Sequence, residues 1–133
     1  LTAEFNGRLA RERAPLAAMA LNADTATLTA IANDYGYAEV FARQLQAQGR
    51  PGDCAVAVST SGESENVVRA LHTARRLGLS SVALLGRTGG RARGLVDVAV
   101  VVPHADSARI QEMHIFIGHT WCGQIERGLG LVL

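Results

Sequence analysis

Residues 54–68 read Cys54-Ala55-Val56-Ala57-Val58-Ser59-Thr60-Ser61-Gly62-Glu63-Ser64-Glu65-Asn66-Val67-Val68. An apolar run of strand length passes through a turn holding four hydroxyls and a glycine, then directly into a segment of helical spacing. This strand, turn and helix decide the fold. Val67, Val68, Leu71, Ala74 and Leu77 recur on one face of the predicted helix, Gly78 stops it, and Glu65 stands four residues before Arg69 on the wet face.

The same alternation extends in both directions. Leu16–Leu21, Ser81–Leu85 and Asp97–Val102 are further apolar runs of strand length. Helices are predicted over Ala26–Asn33 and Ala38–Gln48, with Val40, Phe41 and Leu45 on one side of the second, before Gly49-Arg50-Pro51-Gly52-Asp53 breaks the chain. Gly86–Gly90 is a loop leading into a short helix that ends near Leu95. The last helix starts at Asp106 or Ser107 as N-cap and runs to Ile125 or beyond. Strands alternating with helices predict parallel βα units, and continuous apolar runs predict strands covered on both faces. No repeat or low-complexity tract divides the chain, so one domain over residues 1–133 is expected.

Composition narrows the function classes. Thirteen Lys and Arg face twelve Asp and Glu in 133 residues, for a formal charge of +1. No block of like charges exceeds Arg75-Arg76, which argues against a nucleic-acid footprint or a polybasic membrane patch. No apolar run approaches the ~18 residues of a membrane span. Cys54 and Cys122 lack any CxxC or finger spacing, so two buried, reduced thiols in a cytoplasmic protein are expected.

Ser59–Ser64 carries the strongest chemical signal. It lies where the carboxyl end of a parallel strand opens a ligand crevice, and its hydroxyls meet the positive end of a helix. Hydroxyl donors and free backbone N–H groups there can hold a phosphate without Lys or Arg. An ordinary N-cap accounts for one hydroxyl, not four in six residues. The loop is neither GxxxxGK[ST] nor GxGxxG. On the last helix, Gln111 and His119 are eight residues apart, hence ~12 Å along the axis and ~80° around it, and share a side. His114 falls on a largely different face and reads as a partly buried histidine with a satisfied hydrogen bond. Glu4 precedes Arg8 by four residues, an ordinary surface pair on spacing alone, and Asn33-Asp34 before Tyr35-Gly36-Tyr37 reads as a helix end.

Together, Ala30–Tyr37, Gly52-Asp53 before a strand, Ser59-Thr60-Ser61-Gly62-Glu63-Ser64 and Arg109-Ile110-Gln111-Glu112-Met113-His114 resemble the sugar isomerase (SIS) family, from the first residues to about Glu126. The resemblance implies a flavodoxin-like parallel sheet flanked by helices, assembled as a homotetramer with sites between subunits. It implies an aldose-ketose isomerase that turns sedoheptulose 7-phosphate into D-glycero-D-manno-heptose 7-phosphate, toward the heptose of lipopolysaccharide or of other heptose-containing glycans. No organic cofactor is implied, but zinc is. Residue by residue, Ser59, Thr60, Ser61 and Ser64 match the phosphate loop, and Asn33, Asp34 and Gln111 match substrate contacts. Glu4 and His119 match the catalytic pair, and Glu4, Gln111 and His119 match metal ligands.

Three departures stand out. Glu63 occupies a position where the family usually has Asn, placing a negative charge near the phosphate. Trp121 replaces an aliphatic residue in the last helix. The family's opening helix, first strand, Asn-Gly-Gly-Ser loop and metal-binding histidine are absent before Glu4, so the sequence is expected to be a piece of a longer protein, inactive by itself. The competing function is a non-catalytic SIS domain that binds a sugar phosphate or a replication-initiator partner. Such a relative also carries Arg-Ile-Gln-Glu-Met-His but has an arginine in the loop where this chain has Ser61, and a binder has no need for both Glu4 and His119.

Overall fold

The computed structural model describes residues 1–132. They form two compact units, one of Leu21–Gln111 and one of Leu1–Ala20 with the chain from Glu112 onward.

The first unit is built on a parallel sheet. Strands β1 (Cys54–Ser59), β2 (Ser80–Gly86) and β3 (Val98–Val102) pair in the order β1-β2-β3, with Ala57 opposite Ala83 and Ala83 opposite Ala99. Helix α4 (Glu65–Arg76) crosses between β1 and β2, and a short 3-10 segment over Arg91–Leu95 leads toward β3. Leu71 of α4, Ala83 and Leu85 of β2 and Ala92 form one buried cluster, with Ala57, Ala99 and Val101 packed against it. The odd-numbered strand residues thus face α4, as the two-residue period requires. Leu79, three residues beyond the end of the helix, donates its N–H to the Ala74 carbonyl around Gly78 at φ +71, which closes α4 as its sequence predicts.

The expectation that every strand is covered on both faces holds for β2 alone. Leu84 is 1% exposed, but Val56, Val58 and Val98 are about half exposed. The reason is position: β2 has a neighbour on either side, whereas β1 and β3 are edges whose even-numbered face carries little in this chain. For the same reason Cys54, at the start of β1, is exposed rather than buried, while Cys122 is buried as expected.

Helices α2 (Thr25–Tyr35) and α3 (Val40–Gln48) precede β1, joined by a 3-10 turn over Tyr37–Glu39. Asp24 caps α2, accepting from the Thr27 N–H at 3.1 Å and its hydroxyl at 2.6 Å, and these bonds hold its carboxyl below the ordinary carboxylate range. Buried Gln44 donates to the carbonyls of Leu21 and Val40, both at 2.8 Å, tying the entry of this unit to α3.

In the second unit α1 (Thr2–Asn6) and the part of α5 (Ser107–Gly128) from Glu112 onward accompany an irregular segment. Leu16–Leu21, predicted as a strand, is not one. Among the described residues it has no ladder partner; Leu16 donates its N–H to the Phe5 carbonyl, and the Asn6 side-chain amide bonds to both the N–H and the carbonyl of Ala18. Apolar composition alone does not make a strand when no neighbour offers backbone groups. Arg13 anchors the unit. Its guanidinium, 1% exposed, meets Glu126 at 2.8 Å and donates to the carbonyls of Glu4, Phe5, Gly7 and Ala14. No helix is long and apolar enough to cross a membrane among the described residues.

Candidate functional site

The turn after β1 is shaped by its own hydroxyls. Ser59, buried at the end of the strand, accepts from the Gly62 N–H at 3.0 Å, and Ser61 accepts from the Glu63 N–H at 3.1 Å. Gly62 has φ +67, and a Cβ there would lie 1.9 Å from the Gly89 carbonyl oxygen, so only glycine fits. Ser64 occupies the N-cap position of α4 with extended backbone, yet its side chain makes no cap hydrogen bond. The ordinary N-cap explanation of this loop therefore fails at Ser64. What remains is a helix start carrying positive potential, bordered by the hydroxyls of Thr60, Ser61 and Ser64.

Glu63 does not confront that helix start as a free charge. Its carboxylate is taken by Arg91, through the backbone N–H to Oε1 and Nε to Oε2, each at 2.9 Å. The sequence carries no sign of this partner, because it lies 28 residues away at the start of the 3-10 segment. Asn33 and Asp34 sit exposed at the end of α2, the Asn33 amide donating to Asp34 at 2.9 Å. Gln111 is exposed near the start of α5, next to Ile110, which is fully buried against Gly86. All of these belong to the sheet unit.

Glu4 and His119 belong to the other unit, and the structure brings their helices together there. A Cβ on Gly118 would come within 2.5 Å of the Leu1 side chain, so α1 begins directly against the α5 position preceding His119. Burial pushes the Cys122 thiol up, and the carboxylates of Glu4 and Glu126 add to that shift. His119 is exposed, whereas His114 is buried, more deeply than the partial burial its sequence reading implies.

Zinc is tested by the chemistry of the donors. Glu4 and His119 provide one carboxylate and one imidazole, and Gln111 adds a neutral amide. Among the described residues no three His, Cys, Asp or Glu side chains gather where they could hold an ion. A catalytic zinc site takes three strong protein donors, so these residues do not complete one, and no step is derived through the metal.

Comparison with known proteins gives one answer. A family model described as the SIS domain matches residues 1–86. The chain is 51% identical over 126 residues to the phosphoheptose isomerase of Nitratiruptor sp., covering 95% of this chain and 67% of that protein. It is 49% identical to the phosphoheptose isomerase of Rhodospirillum rubrum, covering 97% and 69%. Among solved structures, a phosphoheptose isomerase from Francisella tularensis superposes with a TM-score of 0.90 at 37% identity, covering 95% of this chain and 68% of that one. One from Neisseria gonorrhoeae gives 0.81 at 48% identity, covering 83% and 62%. The chain thus spans about two thirds of the length of the relatives it matches. With the parallel sheet, the hydroxyl loop at the start of α4 and these likenesses in hand, the chain belongs to the SIS domain family, on its phosphoheptose isomerase branch.

Proposed function

We infer that the protein is an aldose-ketose isomerase, converting sedoheptulose 7-phosphate to D-glycero-D-manno-heptose 7-phosphate in heptose biosynthesis. The observation that carries this reading is the Ser59–Ser64 turn opening onto the start of α4, where the Ser64 side chain makes no cap hydrogen bond. Such a start favours an anion, and a sugar phosphate supplies one. Thr60, Ser61 and Ser64 receive the phosphate while Ser59 shapes the turn, so that binding far from the reacting carbons orients them.

The reaction moves a proton between adjacent carbons through an enediol. Glu4 takes the proton from the carbon beside the carbonyl and returns it to its neighbour, and His119 serves the two oxygens as their protons exchange. Asn33, Asp34 and Gln111 contact the sugar. Zinc carries no step of the proposal: Glu4, Gln111 and His119 are the donors this chain would offer an ion, and they do not complete a catalytic site by themselves. A homotetramer with sites between subunits, acting in the cytoplasm, completes the proposal.

The test is conversion of sedoheptulose 7-phosphate, followed by NMR of the sugar signals, for the complete gene product and its Glu4→Gln and His119→Ala variants. Turnover by the parent and its loss in both variants, with the fold retained, is expected. Near-normal turnover in either variant removes that residue from catalysis. Sugar-phosphate binding without conversion by the well-folded parent replaces the isomerase with a non-catalytic binder.

A further inference from the structure

Glu63 poses an electrostatic problem for the turn that the proposed function assigns to a phosphate. A carboxylate beside a phosphate dianion repels it and cancels part of the helix-start potential. The structure answers with one side chain. Besides its two bonds to the Glu63 carboxylate, Arg91 donates through Nη2 to the Glu63 carbonyl at 3.0 Å and to Glu65 Oε2 at 3.0 Å. A single guanidinium thus holds both the charge and the main chain at one residue of the turn, and the first carboxylate of α4 besides.

The backbones around this grip are equally close. Ala92 donates its N–H to the Gly62 carbonyl at 3.0 Å, and a Cβ on Gly90 would fall 2.5 Å from Glu63 Oε1. Gly62, Gly89 and Gly90 let the turn before Arg91 lie directly on the Ser59–Ser64 turn. Glu65 also pairs with Arg69 at 2.8 Å, and Arg69 reaches Glu39, so the grip continues along the wet side of α4. Arg91 and Glu63 are each about half exposed, and pairs of that kind contribute little to global stability. Their effect is local: the carboxylate is neutralised, and it is turned toward residues 89–91.

We propose that Arg91 is a positioning residue for phosphate binding: it neutralises the Glu63 carboxylate and clamps it toward residues 89–91, clear of the turn that receives a sugar phosphate. This rests on the isomerase reading of the turn. Arg91 itself does not touch the substrate, which sets the test. In steady-state isomerisation, Arg91→Gln is expected to raise KM about tenfold and to weaken competitive inhibition by orthophosphate by the same factor, with kcat within about twofold. Glu63→Gln with Arg91→Gln removes both charges, and its KM returns to within about threefold of the parent. That recovery is a signature that loss of a direct phosphate ligand or of general structure does not give.

An unchanged KM in Arg91→Gln overturns the proposal, as does a double variant no better than the single one. Calorimetric titration of the same three proteins with orthophosphate reads the clamp independently of turnover. Weaker binding in Arg91→Gln alone, with recovery in the double variant, supports the clamp even if the parent fails to convert the sugar, an outcome that overturns only the isomerase reading. Equal orthophosphate affinity in all three overturns the clamp.

Discussion

The sheet unit and the helical unit hold their functional residues by opposite means. In the sheet unit the anion loop follows from its neighbours in sequence: β1 ends, Ser59 and Ser61 bond within four residues, Gly62 turns, and α4 starts. In the helical unit the chain around Glu4 is held by Arg13, and Arg13 by Glu126, 113 residues further on. One region is fixed by a backbone ladder and an apolar cluster, the other by a buried ion pair that gathers carbonyls. A local rule is robust to change elsewhere. A single long-range contact concentrates the risk in two residues.

Breaking that contact gives the largest effect. Arg13→Ala leaves Glu126 buried without its partner, and urea unfolding should show a loss of about 3–5 kcal/mol. Replacing both, Arg13→Met with Glu126→Leu, should recover most of that loss. If the single variant unfolds within about 1 kcal/mol of the parent, the contrast between the units is wrong. Leu85→Ala strikes the other unit at its fully buried cluster and should cost about 2–4 kcal/mol by the same measurement. Ser61→Ala with Ser64→Ala sharpens the comparison at the site. KM should rise about tenfold with stability within about 1 kcal/mol, and an unchanged KM would count against the phosphate loop.

The smallest effect is one of pH. Asp97 accepts from the Ser81 hydroxyl at 2.9 Å and its N–H at 2.7 Å, which holds its carboxyl below its ordinary value of 3.8. A carboxyl lowered on folding stabilises the folded state above its unfolded pKa, and that contribution disappears as pH falls through the folded value. Asp97→Asn should therefore lower stability slightly at pH 7 and converge with the parent below pH 3.8, as read by thermal melts across that range.

Much of this was legible before any coordinate. The three strands came within a residue of their predicted ends, because short apolar runs bounded by Gly, Asp and Ser leave little choice, and α4 showed its buried stripe at Val68, Leu71 and Ala74. Leu16–Leu21 misled, since composition reports burial and not whether a neighbouring strand exists. The edge position of β1, and with it the exposure of Cys54, Val56 and Val58, is likewise a property of the sheet rather than of the run. At the site, the hydroxyl loop was visible as a density of donors in six residues. Arg91 and Arg13 were not, because an arginine carries no mark of its partner when that partner is 28 or 113 residues away.

Asn6 holds one more consequence. Its amide presents a donor and an acceptor on a single planar group, and both are used on Ala18 at 3.1 Å, while the next-door Phe5 carbonyl takes the Leu16 N–H. The side chain thus copies the edge of a strand for one residue. Since Leu16, Ala18 and Ala20 are half-buried and the residues between them exposed, sliding the segment by one residue would reverse the whole alternation. Asn6 works as a register pin: Asp in its place would lose the donor and Leu both functions, freeing the segment to slip without removing a single apolar contact.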